Sequence, residues 1–260
     1  MTTLAVITQK GGVGKTVSAV NLAHGFAMRG YRTLLLDLDP QGNVADCLGL
    51  PPGGDLYRLL FPDGGLPLEM TVVSSGRENL DVVRSDKSSA NLKNAISAVS
   101  DRPREYILDD VLVKAPYDVI LLDCAPSIDI LHTLAIVAAH YVLVPTRLDQ
   151  LAVKGVRDVL VTLKALARIT TCELGAIIPT FYDRTTNESY LQLKHLAETF
   201  RKYVWPPIPQ DVVCRESTRL GQTLWEVAPN TRALVGYEDR AGRMVGGYRQ
   251  VIERVEKELL

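Results

Sequence analysis

Thr3-Leu4-Ala5-Val6-Ile7-Thr8 runs into Gln9-Lys10-Gly11-Gly12-Val13-Gly14-Lys15-Thr16, and a helix-like segment follows from Val17 to Met28. An apolar, β-branched run, a glycine cluster, then Gly-Lys-Thr and a helix predict a strand, a phosphate loop and a helix. Glycines let successive backbone N–H groups turn toward one point, which makes an anion nest. The positive end of the following helix adds to it. In such a loop Lys15 reaches the β- and γ-phosphates and the Thr16 hydroxyl ligates Mg²⁺. The spacing is a deviant form of G-x-x-x-x-G-K-[ST]: Gln9 takes the first glycine position, and a second lysine, Lys10, lies inside the loop.

Outward from this loop, the chain reads as alternating strands and helices. A helix over about 15–29 ends at Gly30. Arg32 to Asp37 is a continuously apolar strand, as in parallel sheets covered on both faces. Pro51 to Gly65 is an excursion around one short helix, and 71–75 and 80–84 are short strands. Helices are expected over 90–99, 104–113, 128–139, 153–167 and 189–202, and strands over 118–123, 141–145 and 174–179. Val204 to Ile208 reads as a short edge strand, because Pro206 and Pro207 exclude a central place. The tail from Ala233 to Leu260 reads as mostly helical, weakest at Gly246-Gly247. The pattern predicts one α/β domain over 1–260, a doubly wound, mostly parallel sheet flanked by helices. Its ligand lies outside the carboxyl ends of the strands, where the first loop, residues 37–43 and residues 123–127 converge.

With 260 residues, 47% apolar and 23% charged, the chain has an ordinary globular composition and room for a substantial core. A net charge of −1 sets no whole-molecule attraction to nucleic acid, so any such contact needs a local patch. Cys47, Cys124, Cys172 and Cys214 are scattered without a C-x-x-C pair, which argues against a zinc or iron–sulfur site. Strand one starting near residue 3 leaves no room for a secretory leader, and no apolar run approaches a membrane span. Both fit a cytoplasmic protein.

Two more strand ends carry chemistry. Asp123 follows four apolar residues and suits a Walker B carboxylate holding Mg²⁺; a strand-end cap is the simpler alternative. Asp39 lies after the second strand, where a carboxylate can hold the attacking water in line with a γ-phosphate. Asp37 competes for that role, although its place at the strand end suits a structural one. Cys124 reads as a small packing residue.

Together K-G-G-V-G-K-T at 10–16, D-L-D-P-Q-G-N at 37–43 and D-V-I-L-L-D-C-A-P-S at 118–127 resemble the motifs of ParA/Soj partition ATPases, within the wider ParA/MinD class of deviant Walker A P-loop NTPases. Segments at 144–155, 179–183 and 208–212 follow in the same order, so the resemblance covers nearly the whole chain. It implies ATP and Mg²⁺ as cofactors and an ATP-sandwich homodimer. Lys10 becomes the signature lysine that reaches the partner's nucleotide, Asp39 the catalytic aspartate of switch I, and Asp123 and the residues after it switch II. Lys10, Gly11, Gly12, Val13, Gly14, Lys15, Thr16 and Val17 would cradle phosphate, with Phe181 and Pro209 as further nucleotide contacts. Two departures stand out. Val17 replaces a second threonine, so one hydroxyl is lost while its backbone N–H remains, and Ala125 replaces a frequent proline.

The resemblance also implies non-specific DNA binding, nucleoid association and release by a ParB-like adaptor. Two expected arginine positions fall on Thr185 and Val213; Arg184 and Arg215 are their neighbours. Arg219, Arg240 and Arg243 complete the candidates, the last two in a stretch, 240–249, without an acid. A solvated helical face is the alternative. A chain that starts at its first strand carries no N-terminal helix-turn-helix, so operator-specific binding is not expected. MinD-like relatives end in a lipid-binding helix. Here Glu253, Glu256 and Glu258 stand opposite the apolar stripe, which argues for a helix packed on its own core and against a membrane partner.

Overall fold

The apolar runs at 33–37 and 119–123 lie side by side at the centre of the sheet, as their unbroken hydrophobicity requires. In the computed structural model, which describes residues 1–62, 64–99, 103–239 and 241–260, seven strands are ordered β3-β4-β2-β5-β1-β6-β7. Their ranges are β1 Thr2–Val6, β2 Thr33–Asp37, β3 Val73–Arg77, β4 Leu80–Val83, β5 Val119–Asp123, β6 Tyr141–Arg147 and β7 Glu173–Thr180. All neighbours are parallel except β3 and β4. The registers Val6↔Asp123 and Asp37↔Asp123 bring the ends of three strands level. That alignment puts the loops after them in one crevice.

Helices cover both faces. In chain order they are α1 Lys15–Met28, α2 Asn43–Leu48, α3 Asp55–Leu60, α4 Ser89–Ser97, α5 Ile107–Leu112, α6 Ile130–Ala138, α7 Ala152–Leu166, α8 Asn187–Phe200, α9 Val213–Leu220, α10 Leu224–Val227, α11 Arg232–Val235 and α12 Gly247–Glu258. On one face, α4 to α8 close a core that includes Leu36, Leu122, Leu134, Val156 and Leu196. On the other, α1, α2 and the C-terminal helices close a second core around Phe26, Trp205, Leu234 and Ile252. α7 shows the helical period: Val153, Val156, Val159 and Leu163 are buried, while Lys154, Arg157 and Lys164 face out. α12 likewise buries Tyr248, Val251, Ile252 and Val255, so the expected packing on its own core is what the structure shows.

Two expectations need correction, and three short helices are new. Val204 to Ile208 forms no strand. Its chain runs beside β7 with single bridges at Ile177↔Val204 and Tyr182↔Pro209. Trp205 N donates to Ile177 O and Ile208 N to Pro179 O, but Pro206 and Pro207 have no N–H to continue the ladder. The tail is helical only in α11 and α12; between them a short antiparallel hairpin pairs Tyr237–Glu238 with Met244–Val245 (β8 and β9). Asp239 closes its turn by accepting from Ala241 N and Arg243 N, a local bond that competes with helix. Finally, α2, α9 and α10 were not foreseen: they are only 6, 8 and 4 residues long.

Candidate functional site

The phosphate loop takes its shape from two residues in the left-handed region, Gly12 at φ 71° and Gly14 at φ 83°. A side chain at either would strain the turn that lets α1 start at Lys15. Gly11 and Gly12 are exposed, and a Cβ at either would meet nothing within 4 Å. The loop therefore opens onto a cavity of about 630 Å³, lined by residues from the loop, by Asp39 to Gln41 and Asn43, by Ala90 and Lys93 of α4, and by Ala125 to Ser127.

At its floor Lys15 Nζ lies 3.2 Å from Asp123 Oδ1, and both side chains are buried. Burial works most strongly against the Lys15 ammonium, but the charge and hydrogen bond of Asp123, with the nearby Cys124 and Asp39, together outweigh it, so Lys15 is held above the ordinary lysine value. Burial also raises the Asp123 carboxyl, against the pull of Lys15. Asp123 Oδ2 is buried with no hydrogen-bond partner. Asp37, opposite it in register, is pushed well above the carboxylate range by burial and by the Asp123 charge. A floor with carboxylates crowded about one ammonium is short of positive charge, and a divalent cation beside Thr16 and Asp123 fits that deficit.

Asp37 and Asp39 separate cleanly. Asp37 Oδ1 accepts from Asp39 N and Oδ2 from Val44 N, so its carboxylate braces the turn into α2. Asp39 uses one oxygen on Gln41 N, is almost fully buried, and lines the cavity. Cys124 is buried and its thiol is raised far above the thiol range by burial, which suits packing and no nucleophile.

A second cavity of about 500 Å³ adjoins the first, sharing Gly12, Gly14 and Val17. Phe181 and Pro209 both line it, so the two expected late contacts are brought to the loop. Phe181 sits at φ 56°, unusual for a non-glycine residue, and a Cβ on Gly14 would meet its ring at 3.5 Å. The Arg147 guanidinium lies 5.0 Å over the ring. Val13 is buried, its carbonyl taken by the Thr180 hydroxyl.

Lys10 is not free. Its Nζ is ion-paired with Asp149, which follows β6, with about a third of each side chain exposed. Asp149 went unnoticed in the sequence because nothing local marks it. Of the candidate DNA contacts, Arg184 lies 4.7 Å over the Tyr237 ring and donates to Glu238 O, which fastens it to the hairpin. Arg243 is paired with Asp239 at 2.8 Å, so the absence of acids within 240–249 did not leave it unneutralised. Arg215 and Arg219 are exposed one turn apart on α9, and Arg215 also lines the second cavity. Arg240 lies outside the described residues.

Residues 1–175 match the AAA_31 family, described as an AAA domain. The chain is 33% identical to the chromosome-partitioning ATPase Soj of Treponema pallidum over 94% of its own length and 96% of that protein. It belongs to the ParA/Soj family of partition ATPases. Solved structures agree with the fold. Cobyrinic acid a,c-diamide synthase of Mycobacterium smegmatis, crystallised with an ATP analogue and magnesium, aligns with a TM-score of 0.74 at 30% identity over 85% of this chain and 91% of that one. Apo McdA of Cyanothece aligns with a TM-score of 0.82 at 20% identity, over 98% and 99%. In this ParA/Soj chain the deviant loop and residues of the 39–43 and 125–127 segments line one crevice, with Asp37 and Asp123 buried in register at the strand ends behind it.

Proposed function

We propose that this chain is an ATP-switched partition ATPase built as one P-loop domain over 1–260. It binds Mg²⁺·ATP across the two adjoining cavities, with the phosphates on Lys10 to Val17 and the base beside Phe181 and Pro209. Thr16 and Asp123 would hold the magnesium ion, which supplies positive charge to the phosphate oxygens. Asp39 orients the attacking water. Lys15 neutralises charge from within the same subunit, and Lys10 does so across a sandwich dimer.

One observation carries the reading: the phosphate cavity is open on the side where Gly11 and Gly12 are exposed and Lys10 is partly so, which leaves a second copy room to close it. Closure that depends on the triphosphate makes a switch, because the partner's lysine adds binding energy only while the γ-phosphate is present.

In this reading the dimer binds DNA without sequence preference, through Arg215 and Arg219, which are exposed on α9. Two copies double the cationic charge facing the phosphates. A ParB-like adaptor stimulates hydrolysis and releases the dimer, so that cargo is positioned on the nucleoid in the cytoplasm. The membrane alternative loses its basis because the apolar side of α12 is buried in the core. No helix among the described residues is long and apolar enough to cross a membrane.

The test is a gel shift on random-sequence DNA. Binding should require Mg²⁺·ATP, fall steeply with added salt, and be lost in the R215E/R219E variant. Binding that ignores ATP, or sedimentation with anionic liposomes in place of DNA, would overturn the reading.

A further inference from the structure

Three lysines line the phosphate cavity, and each is paired with an aspartate: Lys10 with Asp149, Lys15 with Asp123 and Lys93 with Asp129. The first two belong to the phosphate loop. Lys93 comes from α4, an element that carries no nucleotide motif. Leu92 and Ile96 anchor α4 in the core, and Ala90 and Lys93, one turn apart, face the cavity.

The partner of Lys93 has several other duties. Lys93 Nζ lies 2.6 Å from Asp129 Oδ2, and the same oxygen accepts from Ser127 Oγ at 2.7 Å. Asp129 Oδ1 caps α6 by accepting from Leu131 N at 3.0 Å and His132 N at 3.3 Å. Asp129 thus joins three things: the end of switch II at Ser127, the first turn of α6 and the α4 cation. Ser127, Ala125 and Pro126 form the cavity wall on that side. A charge-assisted bond at this length, partly shielded from water, is stronger and more directional than a neutral one.

We infer that Lys93 is a positioning residue for hydrolysis: acting through Asp129, it braces the end of switch II from α4 and fixes the wall that the γ-phosphate and its water must meet. This inference rests on the proposed ATPase reading and extends it to a residue outside the loop and switch motifs. Holding a reacting group within a fraction of an ångström matters to rate more than to affinity, because the reacting geometry is only demanded in the transition state.

The experiment compares steady-state ATP turnover of wild type with K93A, K93R, D129N and K93A/D129N, with thermal melting of each. K93A should lower kcat about tenfold and leave KM within about twofold. K93R, which keeps the charge, should restore kcat to within about threefold of wild type. Asn caps a helix about as well as Asp, so D129N keeps α6 capped, loses the ion pair and should match K93A. The double variant should be no worse than either single one, since both break one contact.

A rise in KM with unchanged kcat in K93A, not reproduced by D129N, would mean Lys93 touches nucleotide directly and overturns the inference. A lowered melting temperature with unchanged kcat would mean a purely structural strut and also overturns it. A wild-type chain that turns over no ATP with Mg²⁺ overturns the ATPase reading and this inference together. Turnover in wild type with K93A unaffected overturns the inference alone.

Discussion

Lys10 of the phosphate loop is ion-paired with Asp149 of its own chain, on the open side of the cavity. In the proposed dimer this lysine must turn to the partner's nucleotide, so the pair competes with association. D149A should therefore promote dimerisation. Both side chains are about a third exposed, and pairs of that kind contribute at most about 1 kcal/mol, or up to about fivefold in the ATP concentration at half-dimerisation. Sedimentation velocity across an ATP titration measures this; an unchanged midpoint would mean that the pair opposes nothing.

Asp39 and Lys15 should separate binding from turnover. D39A removes a cavity-lining carboxylate that no other element leans on, so ATP affinity should hold within a few-fold while kcat falls by about 100-fold or more. K15A removes the buried cation at the floor and leaves Asp123 without its charge partner, so both should be lost. Fluorescent-nucleotide titration beside a phosphate-release assay reads the two quantities.

V17T should strengthen nucleotide binding. Val17 lines both cavities and offers no hydroxyl, although its backbone N–H remains. Adding one hydrogen bond there is worth about 0.5–1.5 kcal/mol, or roughly two- to tenfold in Kd by calorimetry. No gain would indicate that the bound phosphate lies away from residue 17.

Stability should fall in mild acid. His24 and His132 are buried, and burial holds both rings below the ordinary histidine value. Above about pH 6.5 both are neutral whether the chain is folded or not, so neither contributes a slope. Below it the unfolded chain takes up protons that the folded chain refuses, and stability drops by up to about 1.4 kcal/mol per pH unit per ring. His132 has no hydrogen-bond partner for either ring nitrogen. H132L should flatten part of the slope and add about 1 kcal/mol at neutral pH, measured by urea unfolding at several pH values.

Much of the site was legible because its logic is local. The Gly12 and Gly14 turn, Lys15 and Thr16 lie within five residues, and Asp123 announces itself as the polar end of an apolar strand. Parallel pairing then does the rest, since strand ends in register bring their loops together. Asp149 and Lys93 act across |i−j| = 139 and from α4 onto Asp129, and no spacing rule ties such residues together. The hairpin at 237–245 was hidden for a different reason. Helical periodicity in α12 continues backward through Val245 on paper, while the Asp239 turn and the glycines at 246–247 end it in fact. The strip beside β7 was half right: apolar residues placed it on the sheet, and its two prolines broke the ladder.

That strip has a consequence for self-association. The outer margin of the sheet beyond β7 is blanketed by 204–209, whose prolines offer no amide to a visiting strand. At the opposite margin β3 is five residues long and bulged. Neither rim invites indiscriminate edge-to-edge growth. In the proposed dimer, copies of this molecule meet instead across the cleft, where contact can be granted or withdrawn by what the cleft contains.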